Sequence, residues 1–477
     1  MKQRGAPAER LQPGDRIDGF LVGEHLHSGA QSLLYSVTGR DTGFPMLMKV
    51  PLFRSGDPAQ NLLSYDTEAT ILPALSGPHV PRFVAAGDIR RTPYLVMERV
   101  EGRSLETELA RCPLPADEVA RVGAAVADAV HRLHRQQVVH CDLKPENVIL
   151  RPDGTAVLID FGLAWHARFP DLHGEEERHT VGSMPFLSPE QILGVRGDPR
   201  SDVFSLGVLL YELATGELPF GLPVSEAGLR QRLWMDPGAP AALSKTVTPV
   251  LQEIILHCIE PQLESRYQSA AHVAFDLRHQ DQVELTARAL KVRGAGFLKQ
   301  THRWWRARVA PLPAPPPKKR AIDAAPVIMV AVDTTHPDDE RQPAIQRATR
   351  QILSLSSDFR LICVSVIAAP PIGGGRPEDP TAHHLEHTVR LRNWIEPLPL
   401  PPDRLSQHVI EAADAPAALL EFAKRNHVDL IILGAPGPRE QALAWWRSVA
   451  SGVTANAHCS VYVVRVPEEP EPDGGAP

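Results

Sequence analysis

Two short motifs in a fixed order constrain this chain of 477 residues more than any other feature of its sequence. HCDLKPENV occupies His140 to Val148, and LIDFGLA occupies Leu158 to Ala164. Asp160, in the second motif, follows the asparagine of the first motif by 13 residues. An Asp-Phe-Gly tripeptide alone would indicate only a turn. Chance does not produce the two motifs together with the further motifs that surround them in order.

The paired motifs resemble the catalytic loop and the DFG motif of protein kinases, over approximately residues 16–282. The lysine in DLKPEN is similar to that of the serine/threonine branch, and the chain resembles its bacterial, eukaryotic-like (Hanks-type) members. The resemblance implies a bilobal α+β fold, with a small lobe at residues 16–100 and a helical lobe at 101–282. It also implies an ATP-dependent phosphotransferase that uses Mg²⁺ and acts on protein substrates.

The residue types in these motifs suit phosphoryl transfer, in which a hydroxyl attacks a phosphorus surrounded by negative oxygens. By resemblance, Asp142 accepts the proton of the substrate hydroxyl and Lys144 contacts the transferring phosphate. Asn147 and Asp160 offer the hard oxygen ligands that Mg²⁺ prefers beside phosphate oxygens. These four residues are the predicted catalytic set, and the last two are the predicted metal ligands.

Upstream residues match the ATP-binding lysine and its partner. Lys49 ends a short apolar strand and fits the lysine that binds the α- and β-phosphates. Glu68 lies on a predicted helix and fits its ion-pair partner. Leu72, one turn later, is expected to stack towards His140 and Phe161 in the hydrophobic spine of kinases.

The adenine pocket is expected along YLVMERVEG, Tyr94 to Gly102. By alignment with kinases, Met97 is the gatekeeper residue at the back of the pocket. The backbone groups of Glu98 and Val100 are expected to hydrogen-bond the adenine edge. Backbone recognition makes little demand on side chains, so this assignment depends on the resemblance alone.

The glycine-rich loop departs from the kinase pattern. Kinases carry approximately GxGxxG, whereas this chain reads LHSGAQSLLY from Leu26 to Tyr35. Only the middle glycine, Gly29, is present, and His27 and Ser32 replace its neighbours. We expect a stiffer loop that still binds ATP, with reduced affinity or turnover.

The segment GSMPFLSPE, Gly182 to Glu190, resembles the end of the activation segment of kinases. Ser183 stands where serine/threonine kinases usually carry a threonine near the catalytic aspartate. By the same resemblance, Glu190 pairs with Arg266 in a buried structural bridge, and Asp202 braces the backbone of the catalytic loop.

Composition limits the remaining function classes. The formal net charge of -7 argues against general affinity for nucleic acids or membranes, and we expect no specific nucleic-acid partner. The five cysteines are widely spaced and form no CxxC pair, which favours a reducing compartment. The N-terminus lacks a signal-peptide core, and the most apolar run, Val203 to Leu210, is too short to span a bilayer. We therefore expect a cytoplasmic protein without a transmembrane segment.

Hydrophobic patterning separates three zones. Short apolar runs predict a small sheet up to about Val100, interrupted by a helix at Leu62–Leu75. Helices dominate afterwards, with one central helix predicted at Val203–Leu213. Residues 283–324 are basic and proline-rich and are predicted to be a linker, whose basic and aromatic part could instead touch an anionic surface. Residues 468–477 are predicted to be a disordered tail.

The third zone, residues 325–467, has the pattern of a Rossmann-like α/β domain with a parallel sheet. Apolar strands are predicted at Val327–Val332, Leu361–Val366, Leu430–Gly434 and Ser460–Val464, and helices at Ile345–Leu355 and Ala415–Asn426. VAVD, DLIILG and HCSVYVVR resemble the universal stress protein family. The chain is thus expected to be a multidomain protein, a kinase followed by a stress-protein domain that senses or forms a homodimer.

A second nucleotide site is one of two interpretations of this domain. By resemblance, Asp333 holds the adenine or ribose while Gly434, Gly437 and Ser448 cradle phosphates. Arg447, however, stands where nucleotide-binding members carry a glycine. Alternatively, these residues are strand-end turns in a regulatory or dimerising domain.

Alternatives also exist for the whole chain. The altered glycine loop would suit a pseudokinase, a nucleotide-binding scaffold in stress signalling that does not transfer phosphate. The complete set of catalytic residues, from Lys49 to Asp160, argues against that interpretation. As a third alternative, the stress-type domain could carry the main function and the kinase domain could serve only to regulate it.

Cys141 generates a first prediction, because many kinases carry an arginine there that reads a phosphate on the activation loop. Without this receiver, phosphorylation of Thr180, the expected autophosphorylation site, should matter little. We expect wild type and Thr180→Ala to transfer phosphate at equal rates in a radiolabel assay. A large loss of activity in the variant would contradict this prediction.

Overall fold

We describe the protein from a computed structural model, which covers residues 11–292 and 325–465 apart from short gaps. The gaps are residues 30, 53–57, 90, 177–181, 224, 234–236, 337–338, 340, 356–358, 369–379, 399 and 436–448. Most of the predicted linker and the whole predicted tail lie outside the described residues. The chain divides into two compact units, of which the larger comprises residues 10–52 and 62–318 and the smaller includes 319–477.

The larger unit begins with an antiparallel sheet. Its strands are β1 (Arg16–Ile17), β2 (Phe20–Ser28), β3 (Ser32–Thr38), β4 (Met46–Pro51), β5 (Phe83–Ala86) and β6 (Leu95–Glu98). Their order in the sheet is β1-β2-β3-β4-β6-β5. Alternate residues of β3 are buried, because successive side chains of a strand point to opposite faces and one face covers the core.

One helix interrupts these strands, close to its predicted position. Helix α1 (Pro58–Ile71) begins four residues before the prediction, and a 3₁₀ turn at Leu72–Ala74 follows it. Pro73 explains where the α-helix ends, because proline has no N–H and clashes with the preceding turn.

The rest of the larger unit is mainly helical. Its helices are α2 (Glu106–Leu109), α3 (Ala116–His134), α4 (Leu172–Glu176), α5 (Pro189–Ile192), α6 (Arg200–Thr215), α7 (Glu226–Arg230), α8 (Pro240–Leu243), α9 (Pro249–Cys258) and α10 (Ala270–Arg278). Helix α6 is buried almost all round, as its apolar sequence predicts, and it ends at Gly216 in the left-handed conformation (φ 76°).

Short strands frame the HCDLKPENV and LIDFGLA motifs. They are β7 (Arg103–Ser104), β8 (Val138–Val139), β9 (Val148–Leu150), β10 (Ala156–Leu158) and β11 (Trp165–His166). Strand β9 pairs with β7 and β10, and β8 pairs with β11. The loop from His140 to Asn147 therefore runs between two fixed strands, and Asp160 lies two residues beyond the end of a third.

The first residues of the predicted linker bind the larger unit. The Glu253 carboxylate accepts a hydrogen bond from the Thr286 hydroxyl at 2.9 Å and from Arg288 Nε at 2.8 Å. Gln252 Nε2 donates to the carbonyl oxygens of Arg288 and Lys291, each at 2.8 Å. Residues 286–291 thus belong to the packed structure of this unit.

The smaller unit contains a five-stranded sheet in which every pair is parallel. Its strands are β12 (Val327–Ala331), β13 (Arg360–Ile367), β14 (Leu405–Glu411), β15 (Leu430–Gly434) and β16 (Ser460–Val464), and its helices are α11 (Arg341–Ser354), α12 (Pro380–Ile395), α13 (Ala415–Arg425) and α14 (Val449–Asn456). The strand order is β14-β13-β12-β15-β16. Helices α11 and α12 pack on one face, and α13 and α14 pack on the other.

This arrangement confirms the predicted Rossmann-like α/β fold of the C-terminal part. Strand β14 and helices α12 and α14, however, have no counterpart among the predicted elements. Within the part of the chain that the structure describes, no helix is both long and apolar enough to cross a membrane.

A buried ion pair joins α5 to the loop before α10. Arg266 Nη1 lies 2.6 Å from Glu190 Oε1, and Nη2 donates to Oε2 at 3.1 Å. Ser201 Oγ donates to the same carboxylate at 2.8 Å, so the buried charge is well satisfied. This is the pairing that the sequence predicts.

Removing one partner should therefore be costly, because it leaves a buried charge without compensation. We expect Arg266→Met to lower the free energy of unfolding by about 3–5 kcal/mol. Arg278→Met, which breaks the half-exposed pair with Asp128, should lower it by less than about 1 kcal/mol. Chemical denaturation measures both values, and equal losses in the two variants would contradict this prediction.

Candidate active site

Lys49 joins three segments of the larger unit. Its Nζ lies 2.6 Å from Glu68 Oε2 on α1 and 3.0 Å from Asp160 Oδ1 after β10. Burial disfavours the charged ammonium, but the Asp160 and Glu68 carboxylates outweigh burial and raise the pKa of Lys49. Burial also opposes ionisation of Asp160, but the charge and hydrogen bond of Lys49 lower the pKa of Asp160 to about 2. Both groups therefore remain charged at neutral pH.

Asp142 lies at the centre of a second cluster of polar groups. Its Oδ1 accepts a hydrogen bond from the Ser183 backbone N–H at 2.8 Å. Its Oδ2 lies 2.9 Å from Lys144 Nζ and accepts from Asn147 Nδ2 at 3.1 Å. Lys144 Nζ also donates to the Ser183 hydroxyl at 2.7 Å. The structure thus brings three of the four predicted catalytic residues, Asp142, Lys144 and Asn147, together with the predicted activation-segment serine.

The buried Asp202 carboxylate fixes the loop that carries Asp142. It accepts hydrogen bonds from the backbone N–H groups of His140 at 2.8 Å and Cys141 at 3.0 Å. His134 Nε2 lies 2.8 Å from the same carboxylate. Burial works against ionisation, but the bond to His134 holds the pKa of Asp202 below its usual value. Cys141 adopts a positive φ of 64°, which is uncommon outside glycine, and these contacts stabilise it.

Two members of the predicted hydrophobic spine, His140 and Phe161, are in contact. Leu72, His140 and Phe161 are each 0% exposed. The rings of His140 and Phe161 lie 5.3 Å apart, and Phe161 N–H donates to Glu68 Oε1 at 3.3 Å. The Phe161 peptide is therefore tied to the same carboxylate that holds Lys49.

Two oxygens remain available for a divalent cation. Asn147 uses its Nδ2 to bond Asp142, and Asp160 uses its Oδ1 to bond Lys49. Among the described contacts, neither Asn147 Oδ1 nor Asp160 Oδ2 accepts a hydrogen bond. Ile159 N–H donates to the Asn147 carbonyl at 3.0 Å, which keeps the two segments adjacent. This donor set fits Mg²⁺, which prefers one or two protein oxygens beside phosphate oxygens.

The predicted adenine pocket follows strand β6. Met97 is buried, and Val100 lies just beyond the end of the strand. The Glu98 side chain is also buried, where its Oε1 lies 2.6 Å from Arg151 Nη2 and its Oε2 accepts from Arg82 N–H at 3.3 Å. Arg151 was not among the predicted site residues, because a lone arginine after a strand usually indicates a surface charge.

Gly29 lies between β2 and β3, where its N–H donates to the Ser32 carbonyl at 2.9 Å. A methyl group added at Gly29 would meet its nearest atom, that carbonyl oxygen, only at 3.5 Å. Packing in this structure therefore does not require glycine at this position. Ala30 and Thr180 lie outside the described residues, so the structure gives no position for the predicted phosphorylation site.

A cavity of about 470 Å³ lies in the smaller unit at the carboxyl end of the sheet. Asp333 and Gly434 both line it, after β12 and at the end of β15. Burial opposes the charge of Asp333, but hydrogen bonds from Thr335 and His336 lower its pKa. Open α/β sheets bind ligands at such a point, where neighbouring strands connect in opposite directions. The other two predicted residues, Gly437 and Ser448, lie outside the described residues.

Comparison with known proteins gives two family matches. Residues 20–276 match the model of the protein kinase domain, and residues 326–465 match the model of the universal stress protein family. The first match covers more than half of the chain. Both agree with the fold predicted for the corresponding part of the sequence.

Several similar proteins are bacterial kinases. The chain is 32% identical over 259 residues to serine/threonine-protein kinase PknL of Mycobacterium tuberculosis, covering 54% of this chain and 64% of PknL. It is 32% identical over 298 residues to Pkn1 of Myxococcus xanthus, covering 61% and 40%. PknB of Mycobacterium leprae is also 32% identical, covering 56% and 43%. The matched part thus spans less than two thirds of each relative.

Proposed function

We infer that the chain, which belongs to the protein kinase family, transfers the γ-phosphoryl group of ATP to serine or threonine hydroxyls of proteins. The observation that carries this proposal is the cluster of charged and polar groups contributed by Lys49, Asp142, Asn147 and Asp160. These groups come from three separate segments. Phosphoryl transfer needs positioning and charge neutralisation rather than covalent catalysis, and this cluster offers both.

In this proposal Asp142 is the residue that orients the attacking hydroxyl and accepts its proton. The bonds from Ser183 N–H and Asn147 Nδ2 fix the carboxylate before substrate binds. Lys144 contacts the transferring phosphate, and its bond to the Ser183 hydroxyl keeps it beside Asp142. Such preorganisation lowers the barrier because the groups need not reorganise during the reaction.

The remaining roles concern ATP and its metal ion. Lys49, held by Glu68, binds the α- and β-phosphates, and Asn147 with Asp160 holds Mg²⁺. Bound Mg²⁺ supplies neutralisation of the negative phosphate oxygens. The adenine lies against Met97 and bonds the backbone of Glu98 and Val100. Gly29 approaches the phosphates. This close approach explains why glycine occurs at this position although packing does not require it.

A pseudokinase is the weaker alternative. It is favoured by the loop around Gly29, which has lost two glycines of the kinase pattern. It is opposed by the complete set of charged groups, since Lys49, Glu68 and Asp142 would carry a burial cost without a function in a protein that does not transfer phosphate. We therefore favour the enzyme.

Replacement of the proposed proton acceptor tests the reaction. We expect Asp142→Asn to reduce transfer from Mg-ATP to the chain itself and to a generic basic protein by at least about 100-fold. Asp153→Asn, at an exposed turn, removes the same charge elsewhere and should leave the rate unchanged. Equal rates in wild type and Asp142→Asn would defeat the enzyme interpretation and favour the scaffold.

The cell compartment and assembly follow from the same proposal. We propose a cytoplasmic protein, because the reaction consumes ATP and the five cysteines are free. The resemblance of the smaller unit to stress proteins suggests a homodimer. Strand β16 at the sheet edge, with Tyr462 46% exposed, is a surface that a second copy could extend.

The cavity beside Asp333 favours a second nucleotide site in the smaller unit. Calorimetric titration of the full chain with ATP should then give two sites per chain, and Asp333→Ala should remove one. Glu421→Ala, an exposed carboxylate on α13, is the matched control and should retain both. Binding of a single ATP by the wild type would instead favour a regulatory or dimerising domain.

A further inference from the structure

The residue before Asp142 changes how the neighbouring segments are held. Cys141 is buried, and its short side chain lies among backbone groups, with the carbonyl oxygen of Arg196 3.5 Å from Sγ. It cannot therefore offer a cation to the activation segment. Another arginine, Arg196 in the loop between α5 and α6, supplies one instead.

The Arg196 side chain is only 10% exposed and makes two directed bonds. Its Nη2 donates to the Leu163 carbonyl at 2.7 Å. Its Nε donates to Asp171 Oδ1 at 3.0 Å. One guanidinium thus bridges the backbone just after the DFG motif and a carboxylate further along the same segment. We call these groups the Arg196–Asp171 pair.

Asp171 is itself held in place. Its Oδ1 accepts a hydrogen bond from Gly174 N–H at 3.1 Å, at the start of α4. His173, also on α4, has its Nε2 2.8 Å from the Gly162 carbonyl. Burial, and then the positive charge of Arg196, lower the pKa of His173 to about 4, so the neutral ring donates this bond.

Two successive carbonyls after the DFG phenylalanine are therefore bonded by side chains. Gly162 is bonded by His173, and Leu163 is bonded by Arg196. Asp160 adopts a positive φ of 64°, a conformation that persists only when the surrounding structure holds it. The contacts that hold the following residues thus also restrict where the Asp160 carboxylate can point.

We propose that Arg196 and Asp171 are positioning residues that hold Asp160 in its metal-binding conformation through an internal ion pair. The Asp171 carboxylate then does for this segment what a phosphate on the activation loop would do, and Arg196 is its receiver. The proposal depends on the transferase activity inferred above. It gives a physical reason for the weak dependence of activity on Thr180 phosphorylation that the sequence predicts.

Breaking the pair should weaken metal binding and turnover together. Arg196→Met and Asp171→Asn should each lower kcat at least about tenfold and raise the half-saturating Mg²⁺ concentration by a similar factor. The double variant should lose no more than either single one, because both remove one interaction. KM for ATP at saturating Mg²⁺ should change less than about twofold, since the adenine contacts are elsewhere.

Arg200→Met is the matched control. Arg200, the first residue of α6, pairs with Asp198 in the loop before it, and the two side chains are 22% and 19% exposed, against 10% and 25% for Arg196 and Asp171. Its guanidinium bonds Leu263 and Gln268 rather than the segment after Asp160. We expect wild-type kcat and Mg²⁺ dependence from this variant. Arg196→Lys, which keeps the cation, should recover part of the activity.

Metal binding is also measured without turnover. In an Asp142→Asn background, the Mg²⁺ dependence of ATP binding is followed by calorimetry, with thermal melting to confirm the fold of every variant. Wild-type Mg²⁺ dependence in folded Asp171→Asn, whether or not its melting temperature falls, would overturn the positioning role. If the wild type does not transfer phosphate at all, the proposed function is wrong. The calorimetric comparison of Mg²⁺ dependence would still test the positioning role of Arg196 and Asp171.

Discussion

The ammonium of Lys49 is the contact on which the active region of this protein depends. It binds Glu68 on α1 and Asp160 after β10, and Glu68 also accepts a bond from the Phe161 peptide. A sheet strand, a helix and the DFG segment are therefore fixed by one partly buried cation. Burial alone would disfavour each of these charges, so the three must be present together. The catalytic loop has a corresponding anchor in Asp202, which binds two of its peptide groups.

Much of this arrangement could be predicted from the sequence because the chemistry dictates both residue type and spacing. Asp142, Asn147 and Asp160 occur in motifs whose residue types and order are not accounted for by structural requirements alone. The contacts that support them could not be predicted in the same way. Arg196 and Asp171 are 25 residues apart and belong to no motif, so only the folded chain shows that they meet.

The smaller unit shows a different limit of sequence patterns. Its apolar strands were predicted to within about a residue, but strand β14 and helices α12 and α14 were not predicted. Strand β14 and helix α12 bury polar side chains, among them His408 on β14 and His387 on α12. His387 Nδ1 lies 2.7 Å from the Thr334 hydroxyl, which in turn lies 2.7 Å from Ser365 Oγ. Because these groups satisfy one another, burial is acceptable and the apolar signal disappears.

The contacts of residues 286–291 also bear on where the first folding unit ends. The match to the protein kinase family model ends at residue 276, yet Glu253 and Gln252 on α9 use later residues as their hydrogen-bond partners. A shortened protein that stopped at residue 282 would expose these groups and the apolar surface around them to solvent. One that stopped at residue 292 would keep them covered. The autonomous unit is thus defined by which polar groups are satisfied rather than by the last recognisable motif.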